Sequence, residues 1–399
     1  MPETIILDTD PGLDDMMALL LLMRTPKSIA EFKQISLTFG NCSLEATLHN
    51  VLSMFWIIKR ENDYRASKGL PAYTDQRPIV SLGLAETIDG IKPKDATDVH
   101  GNDGLGGIHE TNPEFDAPKE WIEYFTTSSA PENPDSLPFI VGEGKSWDIM
   151  NKILEESPID TVSVLSVGPL SNCCKAAETN PSSFSRVKRL LSMGGALNVP
   201  GNVSPMAEFN VFADPVAAAR VYALTSANPE CIMPLGTPTG LKLPRPLNLI
   251  LFPLDITLQH NLYKEPLNEW IDAKLAAFSE SPIATWSKVW LNLGFENIYK
   301  ITGKRTASIS LHDPLTAMYA IQTDLTNWTV EYSDIRVEAR GQWSVGMTVT
   351  DRRGRARLAV NPHDFQKWLT EGQGNNVGVL VDTPVKESFP ETLVSRILG

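Results

Sequence analysis

Strand-like and helix-like hydrophobic patterns alternate along the chain from its first residues. Thr4–Leu7 is a short apolar run of strand length, and Met16–Met23 is a longer one suited to a helix buried on all sides. Ile35–Phe39 repeats the strand signature and breaks at Gly40-Asn41. Leu44–Arg60 follows with Leu48 and Leu52 at helical spacing. Ile79–Ser81, Phe139–Val141, Thr161–Val167 and Val187–Met193 continue the strands, with helices over 146–155 and Ser171–Ala177 between them. Thr161–Val167 carries no charge, as a strand covered on both faces requires. Asp214-Pro215 and Asp313-Pro314 each set an aspartate N-cap before a proline at the first helical position. Helices are also predicted over 267–279 and 283–300, and strands over Val330–Ala339, Trp343–Asp351 and Arg355–Val360. Residues 86–136 are rich in Asp, Gly, Pro, Asn and Ser and read as long loops. Residues 236–265 carry repeated prolines and read as an extended connector. The pattern predicts a single α/β domain over 1–399. Its sheet is open and mostly parallel (mixed), flanked by helices, with insertions at about 86–136 and 236–305.

Composition narrows the classes of function. At 399 residues and 42% hydrophobic, the chain can bury a large core. A net charge of −13 with no long basic run argues against nucleic acid and gives no polybasic membrane patch. Met16–Met23 is too short to span a bilayer. No basic, apolar and cleavage-site series precedes Thr4–Leu7, which predicts a cytoplasmic protein. The four cysteines, Cys42, Cys173, Cys174 and Cys231, include no C-x-x-C pair and suit free thiols in a reducing compartment.

The chemistry concentrates in Ile5–Met23, IILDTDPGLDDMMALLLLM. Asp8, Asp10, Asp14 and Asp15 fall at the end of a predicted strand and in the first turn of the next helix. In open α/β sheets that crevice binds ligands. Helix capping accounts for Asp14 or Asp15 but not for all four acids. So many carboxylates repel unless a cation neutralises them, and a hard divalent ion held through oxygen fits best. Asn41, Gly168-Pro169, Met193-Gly194-Gly195, Asn202, Glu208, Asn210 and His312-Asp313 fall at or near other predicted strand ends. Amides beside carboxylates suit a polyhydroxylated ligand. An aspartyl nucleophile at D-x-D, as in phosphoryl transfer, is the competing chemistry.

Seven blocks occur in order: DTDPGLDD, GN at 40–41, VHGNDGLGG at 99–107, VGPLSN at 167–172, MGG at 193–195, AEFNVFADP at 207–215 and HDP at 312–314. Together with GQWSVGMTVTDRR at 341–353 they resemble the nucleoside hydrolase family of the inosine–uridine-preferring type, across most of the chain. The blocks supply no Ser/Thr and Lys partners for a phosphatase. The resemblance implies a Rossmann-like nucleoside hydrolase fold and calcium-dependent hydrolysis of ribonucleosides to base and ribose. It makes the Asp10, Asp15 and Asp313 carboxylates and the Val167 carbonyl the Ca2+ ligands, with Asp10 also the general base. It places Asp14 and Asn210 at the ribose 2′-hydroxyl, Asn41 near the 3′-hydroxyl, and Asn202 and Glu208 at the 5′-hydroxyl. His100 and His312 become candidates to protonate the leaving base. Asp8 reads as an acid that orients the cluster or as a buried structural one. A homodimer or homotetramer is implied as well.

Two readings differ in function: hydrolysis of another N-ribosyl compound, such as nicotinamide riboside, and non-catalytic binding of a ribosyl ligand. The pattern also departs from the family after Cys231–Leu235, where an aspartate is expected and Gly236 stands. Trp286, Trp290, Phe295 and Tyr299 lie at helical spacing. They read as core in preference to base-stacking residues.

Overall fold

The computed structural model describes residues 2–91, 94–127, 133–238, 240–303 and 308–399. Its strands are β1 (Glu3–Thr9), β2 (Ala30–Leu37), β3 (Ile79–Leu82), β4 (Ile140–Val141), β5 (Val162–Ser166), β6 (Arg189–Met193), β7 (Leu249–Phe252), β8 (Asn261–Tyr263), β9 (Ser308–Ser310), β10 (Thr329–Ser333), β11 (Ile335–Val337), β12 (Thr348–Thr350) and β13 (Val377–Asp382). Nine of them form one mixed sheet in the order β10-β13-β7-β6-β5-β1-β2-β3-β4. Its neighbours are parallel except at the edge, where β10 runs antiparallel to β13. The chain winds outward from β1 to β4, then returns to β5 on the other side of β1. The β1/β5 boundary is therefore the topological switch point, where parallel sheets open a crevice at their carboxyl ends.

Register brings the site residues to that crevice. Asp8 pairs with Ser166 of β5 and with Ser36 of β2. The Val167 N–H donates to the Asp8 carbonyl, and the Thr38 N–H to the Thr9 carbonyl. Asp10, Thr38 and Val167 thus leave their strands together.

Strand alternation splits the core in two. Ile5 and Leu7 point into one apolar layer and Ile6 into the other. In the first layer, helix α1 (Leu13–Arg24) is buried from Leu13 to Met23, its two aspartates included. Helix α2 (Leu44–Ser67) packs on the long helix Pro282–Thr302. Trp286, Trp290 and Phe295 lie inside this core. Among the described residues, no helix is long and apolar enough to cross a membrane, and the four cysteines are free.

The C-terminal half departs from the sequence pattern. Residues 236–265 are not a mere connector or insertion: they contain β7, which sits beside β6 inside the main sheet. Four residues between prolines are too short to stand out as a strand. Of Trp343–Asp351 only Thr348–Thr350 is a strand, paired with β11, and Trp343 is exposed. Residues 355–360 form no strand. Leu358 alone bridges to Thr370. The sheet is completed by β13, followed by the helix Phe389–Leu398. The 86–136 stretch carries short helices, including Thr97–His100, Ile108–Thr111 and Lys119–Thr126.

Candidate active site

Pro11-Gly12 turns the chain from β1 into α1 and delivers four acids to the switch point. Asp15 reaches back to accept the Gly12 N–H at 3.1 Å, closing the first turn of α1. It also accepts the Thr9 hydroxyl at 2.6 Å and the Asn41 side-chain amide at 2.8 Å. Asp10 is wholly buried. One of its oxygens accepts the Asn41 N–H at 2.7 Å, and the other, Oδ1, has no hydrogen-bond partner among the described residues. Glycines in the loops that follow β2 and β5, on either side of β1, make room for it. A Cβ on Gly40 would lie 1.9 Å from Asp10 Oδ2, and one on Gly168 would lie 2.4 Å from Oδ1.

Asp313 arrives from the helix His312–Ala320, which packs on α1. Its N–H donates to Asp14 at 3.3 Å. Asp14, Asp15 and Asp313 each offer a carboxylate oxygen, all within 4.8 Å of one another. Burial, then the charges of Asp14, Asp15 and Asp10, hold Asp313 well above the usual carboxylate range. Burial and the Asp15 charge do the same to Asp10, and burial brings Asp14 to about 6. Crowded acids of this kind, with an orphaned oxygen among them, fit a hard cation that would bring their protons off. All the donors at hand are oxygens.

The remaining predicted residues ring a cleft of about 510 Å³ lined by Asp14, Asn41, His100, Val167, Asn202, Glu208, Asn210, His312 and Asp313. Asp10 and Asp15 lie beneath its floor. Asn210 gives its amide to the Val167 carbonyl at 2.8 Å and to the Met193 carbonyl at 3.3 Å. Glu208 is a buried N-cap, its oxygens accepting the N–H groups of Gly195, Asn210 and Val211. Asn202, exposed at the rim, accepts the Phe209 N–H. His100 Nδ1 accepts the Leu13 N–H at 3.0 Å, so in the neutral ring the proton sits on Nε2. Burial pushes His100 and His312 down to about 4, which keeps both rings neutral near pH 7. Ile298, Ile301 and Thr302 of the helix Pro282–Thr302 line one wall, and none of that helix's aromatic residues lines the cleft.

Sequence reasoning missed Thr257, which meets His312, and Asp255 close to it in sequence, which lines a separate cavity with Leu197 and Asn198. Asp255 binds the Leu197 and Asn198 N–H groups, and Thr257 Oγ1 lies 2.7 Å from His312 Nδ1. Both belong to Pro253-Leu254-Asp255-Ile256-Thr257 at the end of β7. Gly236 lies outside the sheet with a φ of 86°. The apolar run Leu249–Phe252 before a Pro-Leu-Asp was the available signal.

The fold is an open α/β sheet whose switch point holds a cleft of acids and amides, the arrangement of an enzyme for a small polar substrate. Comparison with known proteins identifies the family: the model for inosine-uridine preferring nucleoside hydrolases matches residues 5–389, and the chain belongs to that family. It is 27% identical over 393 residues to a pyrimidine-specific ribonucleoside hydrolase of Salmonella typhi, covering 98% of this chain and 97% of that one. A Schizosaccharomyces pombe protein, uncharacterized protein C1683.06c, is 26% identical over 348 residues, covering 87% and 88%. The purine-preferring ribonucleoside hydrolase from Gardnerella vaginalis superposes with a TM-score of 0.69 at 20% identity, covering 100% and 98%. A plant nucleoside hydrolase does so with a TM-score of 0.68 at 22% identity, again covering 100% and 98%. The two superpositions support the fold.

Proposed function

We propose that this enzyme hydrolyses the N-glycosidic bond of ribonucleosides, uridine, inosine or a close relative, releasing base and ribose in a calcium-dependent reaction. The observation that carries the reading is Asp10. Its carboxylate is buried at the switch point, one oxygen tied to Asn41 and the other without a partner among the described residues. The Salmonella relative's pyrimidine-specific ribonucleoside hydrolase activity supports the substrate class.

Asp10, Asp15, Asp313 and the Val167 carbonyl would hold Ca2+, which when bound neutralises the acids and lowers the pKa of water. Asp10 takes the proton from the attacking water as general base. Asp14 and Asn210 bind the 2′-hydroxyl side of the ribose, Asn41 the 3′-hydroxyl, and Glu208 with Asn202 the 5′-hydroxyl. Glu208 serves as a fixed acceptor, since backbone N–H groups hold both its oxygens. The buried carboxylates stabilise positive charge developing on the sugar, with no covalent sugar–enzyme intermediate. His100, and His312 from Thr257, lie at the cleft wall to hydrogen-bond or protonate the departing base. Asp10→Ala, assayed by ribose release across a nucleoside panel with calcium and with chelator, should lose about 10²–10⁴-fold in kcat. Full activity in a folded variant would remove Asp10 from this role.

A further inference from the structure

Asn50 lies on α2, outside the cleft and wholly buried, yet its side chain joins the two loops that make the site. Its Nδ2 donates to the Pro11 carbonyl at 2.8 Å and to the Asp103 carbonyl at 2.7 Å. Pro11 follows Asp10 directly. Asp103 stands three residues after His100, in the glycine-rich loop. Two carbonyls can only accept, which settles the amide's orientation. Its Oδ1 therefore faces His109 Nε2, 2.7 Å away, and that nitrogen donates. On its other side the His109 ring lies 2.5 Å from Asp116 Oδ1.

We propose that Asn50 is a positioning residue: it locks the acid loop and the His100 loop into one unit, and His109 with Asp116 aims its amide. The loop itself is stiff. Asp103 caps it by accepting the N–H groups of Leu105, Gly107 and His109. Gly104 packs so closely that a Cβ there would lie 2.9 Å from both Asn50 Nδ2 and the Pro11 carbonyl. At the far end of the loop, His100 takes the Leu13 N–H. Without Asn50, the Pro11 carbonyl keeps only the weak Cys42 thiol contact at 3.9 Å, the half-buried Asp103 carbonyl loses its amide donor, and His100 and Asp10 are free to drift relative to each other. A drift of about 1 Å in such a site costs on the order of 100-fold in rate.

His49, His109 and Asp116 also have the residue types of a metal site. The two imidazoles, however, stack face to face at 3.8 Å with 14° between planes. One ion cannot lie in the plane of both rings, and both His109 nitrogens already have partners.

The inference rests on the hydrolase reading, and the experiment separates the two. Wild type, Asn50→Ala, Asn50→Asp, His109→Ala and the Asn50→Ala/His109→Ala double variant are compared for kcat, KM and Tm on the best nucleoside, and for hydrogen exchange over residues 101–107. Ser53→Ala is the control. It lies one turn further along α2, equally buried, and among the described residues its hydroxyl holds only the Ala117 N–H. Asn50→Ala should lose about 100-fold in kcat with KM within about threefold. Exchange over 101–107 should rise about 10-fold or more. Asn50→Asp keeps the acceptor for His109 but not the donors, so it should be as impaired. His109→Ala should lose about 10-fold, and the double variant should be no worse than Asn50→Ala, since both act through one amide. Ser53→Ala should lower Tm and leave kcat and exchange over 101–107 unchanged. Near-wild-type kcat in Asn50→Ala or Asn50→Asp overturns the proposal, as does additivity in the double variant. If Asn50→Ala does not fold, His109→Ala decides: unchanged kcat and exchange overturn it. Wild type inactive on every nucleoside refutes the hydrolase reading instead, and exchange over 101–107 then tests the lock by itself.

Discussion

Replacing Gly168 by alanine tests the placement of Asp10 without touching Asp10. Gly168 follows Val167 at the end of β5, and its φ is not positive, so alanine adds no backbone penalty. The new methyl would lie 2.4 Å from Asp10 Oδ1, 2.9 Å from Asp10 Cγ and 3.1 Å from Thr38 Cγ2. The carboxylate must retreat by about 0.6 Å to reach the 3.0 Å at which real contacts begin. Retreat is blocked: Oδ2 is tied to the Asn41 N–H at 2.7 Å and backed by Gly40, where no side chain fits either. Displacement by part of an ångström at a reacting group predicts a loss of about 10- to 100-fold in kcat. Overpacking should cost about 1–3 kcal/mol of stability, little enough for a folded enzyme. Ribose release at saturating uridine and inosine gives the first quantity, and calorimetric titration with calcium gives its affinity, which should weaken in parallel. Wild-type kcat and calcium affinity in a Gly168→Ala variant carrying the stability loss would refute the placement of Asp10 at the reacting centre.

Chelation should abolish ribose release and lower Tm, with calcium restoring both. At one hundred times its Kd, calcium should add about 2.7 kcal/mol of stability, and full activity after exhaustive chelation would contradict the reading of the acids. Thr257→Val removes the hydroxyl beside His312 Nδ1 and should slow natural nucleosides about 10-fold. A ribosyl substrate whose leaving group needs no proton should be spared, and equal losses on both would free His312 of any duty toward the base. Glu3, far from the cleft, pairs with Arg189 at 2.8 Å and Lys188 at 2.7 Å. Burial raises its pKa, but Arg189 and the Lys188 and Ser163 hydrogen bonds outweigh it and leave the folded value below 4.5. The pair therefore stabilises above pH 4.5 and is lost as the pH falls through the folded value. Glu3→Gln should cost about 2 kcal/mol near neutrality in urea melts, with the difference shrinking as the solution is acidified below 4.5.

Strands that recur every few dozen residues with uncharged or apolar cores were legible, because a parallel sheet covered on both faces leaves little room for polar side chains. β1, β2, β5 and β6 fall where the pattern puts them. β7 and β13 escaped for different reasons. β7 spans four residues hemmed by prolines, and β13 ends in exposed positions where alternation fades. The cleft residues were legible because acids and amides at strand ends have few purely structural uses. Thr257 and Asn50 were not: threonine and asparagine inside helices carry no local signal, and their work depends on partners 55 and 39 residues away.

The four acids of the opening segment divide by what surrounds them. Asp8 points into the sheet layer among neutral donors: Ser36 at 2.6 Å, Asn172 at 2.8 Å and Ser166 at 3.3 Å. Burial raises it to about 6 while these hydrogen bonds draw it down, so it is held without a counter-ion. Asp14 and Asp15 face Asp313 across the α1 turn, and Asp10 lies beneath with one oxygen unpartnered. No lysine or arginine is hydrogen-bonded or ion-paired to any of these four among the described residues. Hydrogen bonds alone can support one buried carboxylate, because each serine or amide donates without adding charge. They do not cancel the repulsion within a cluster of several, which is relieved by keeping protons on the acids, as the raised Asp10 and Asp313 do, or by a positive charge at its centre. The division between Asp8 and the others follows from the strand's own geometry. Inside the sheet an acid meets the side chains of β2 and β5, and past the strand's end it meets other acids and the cleft.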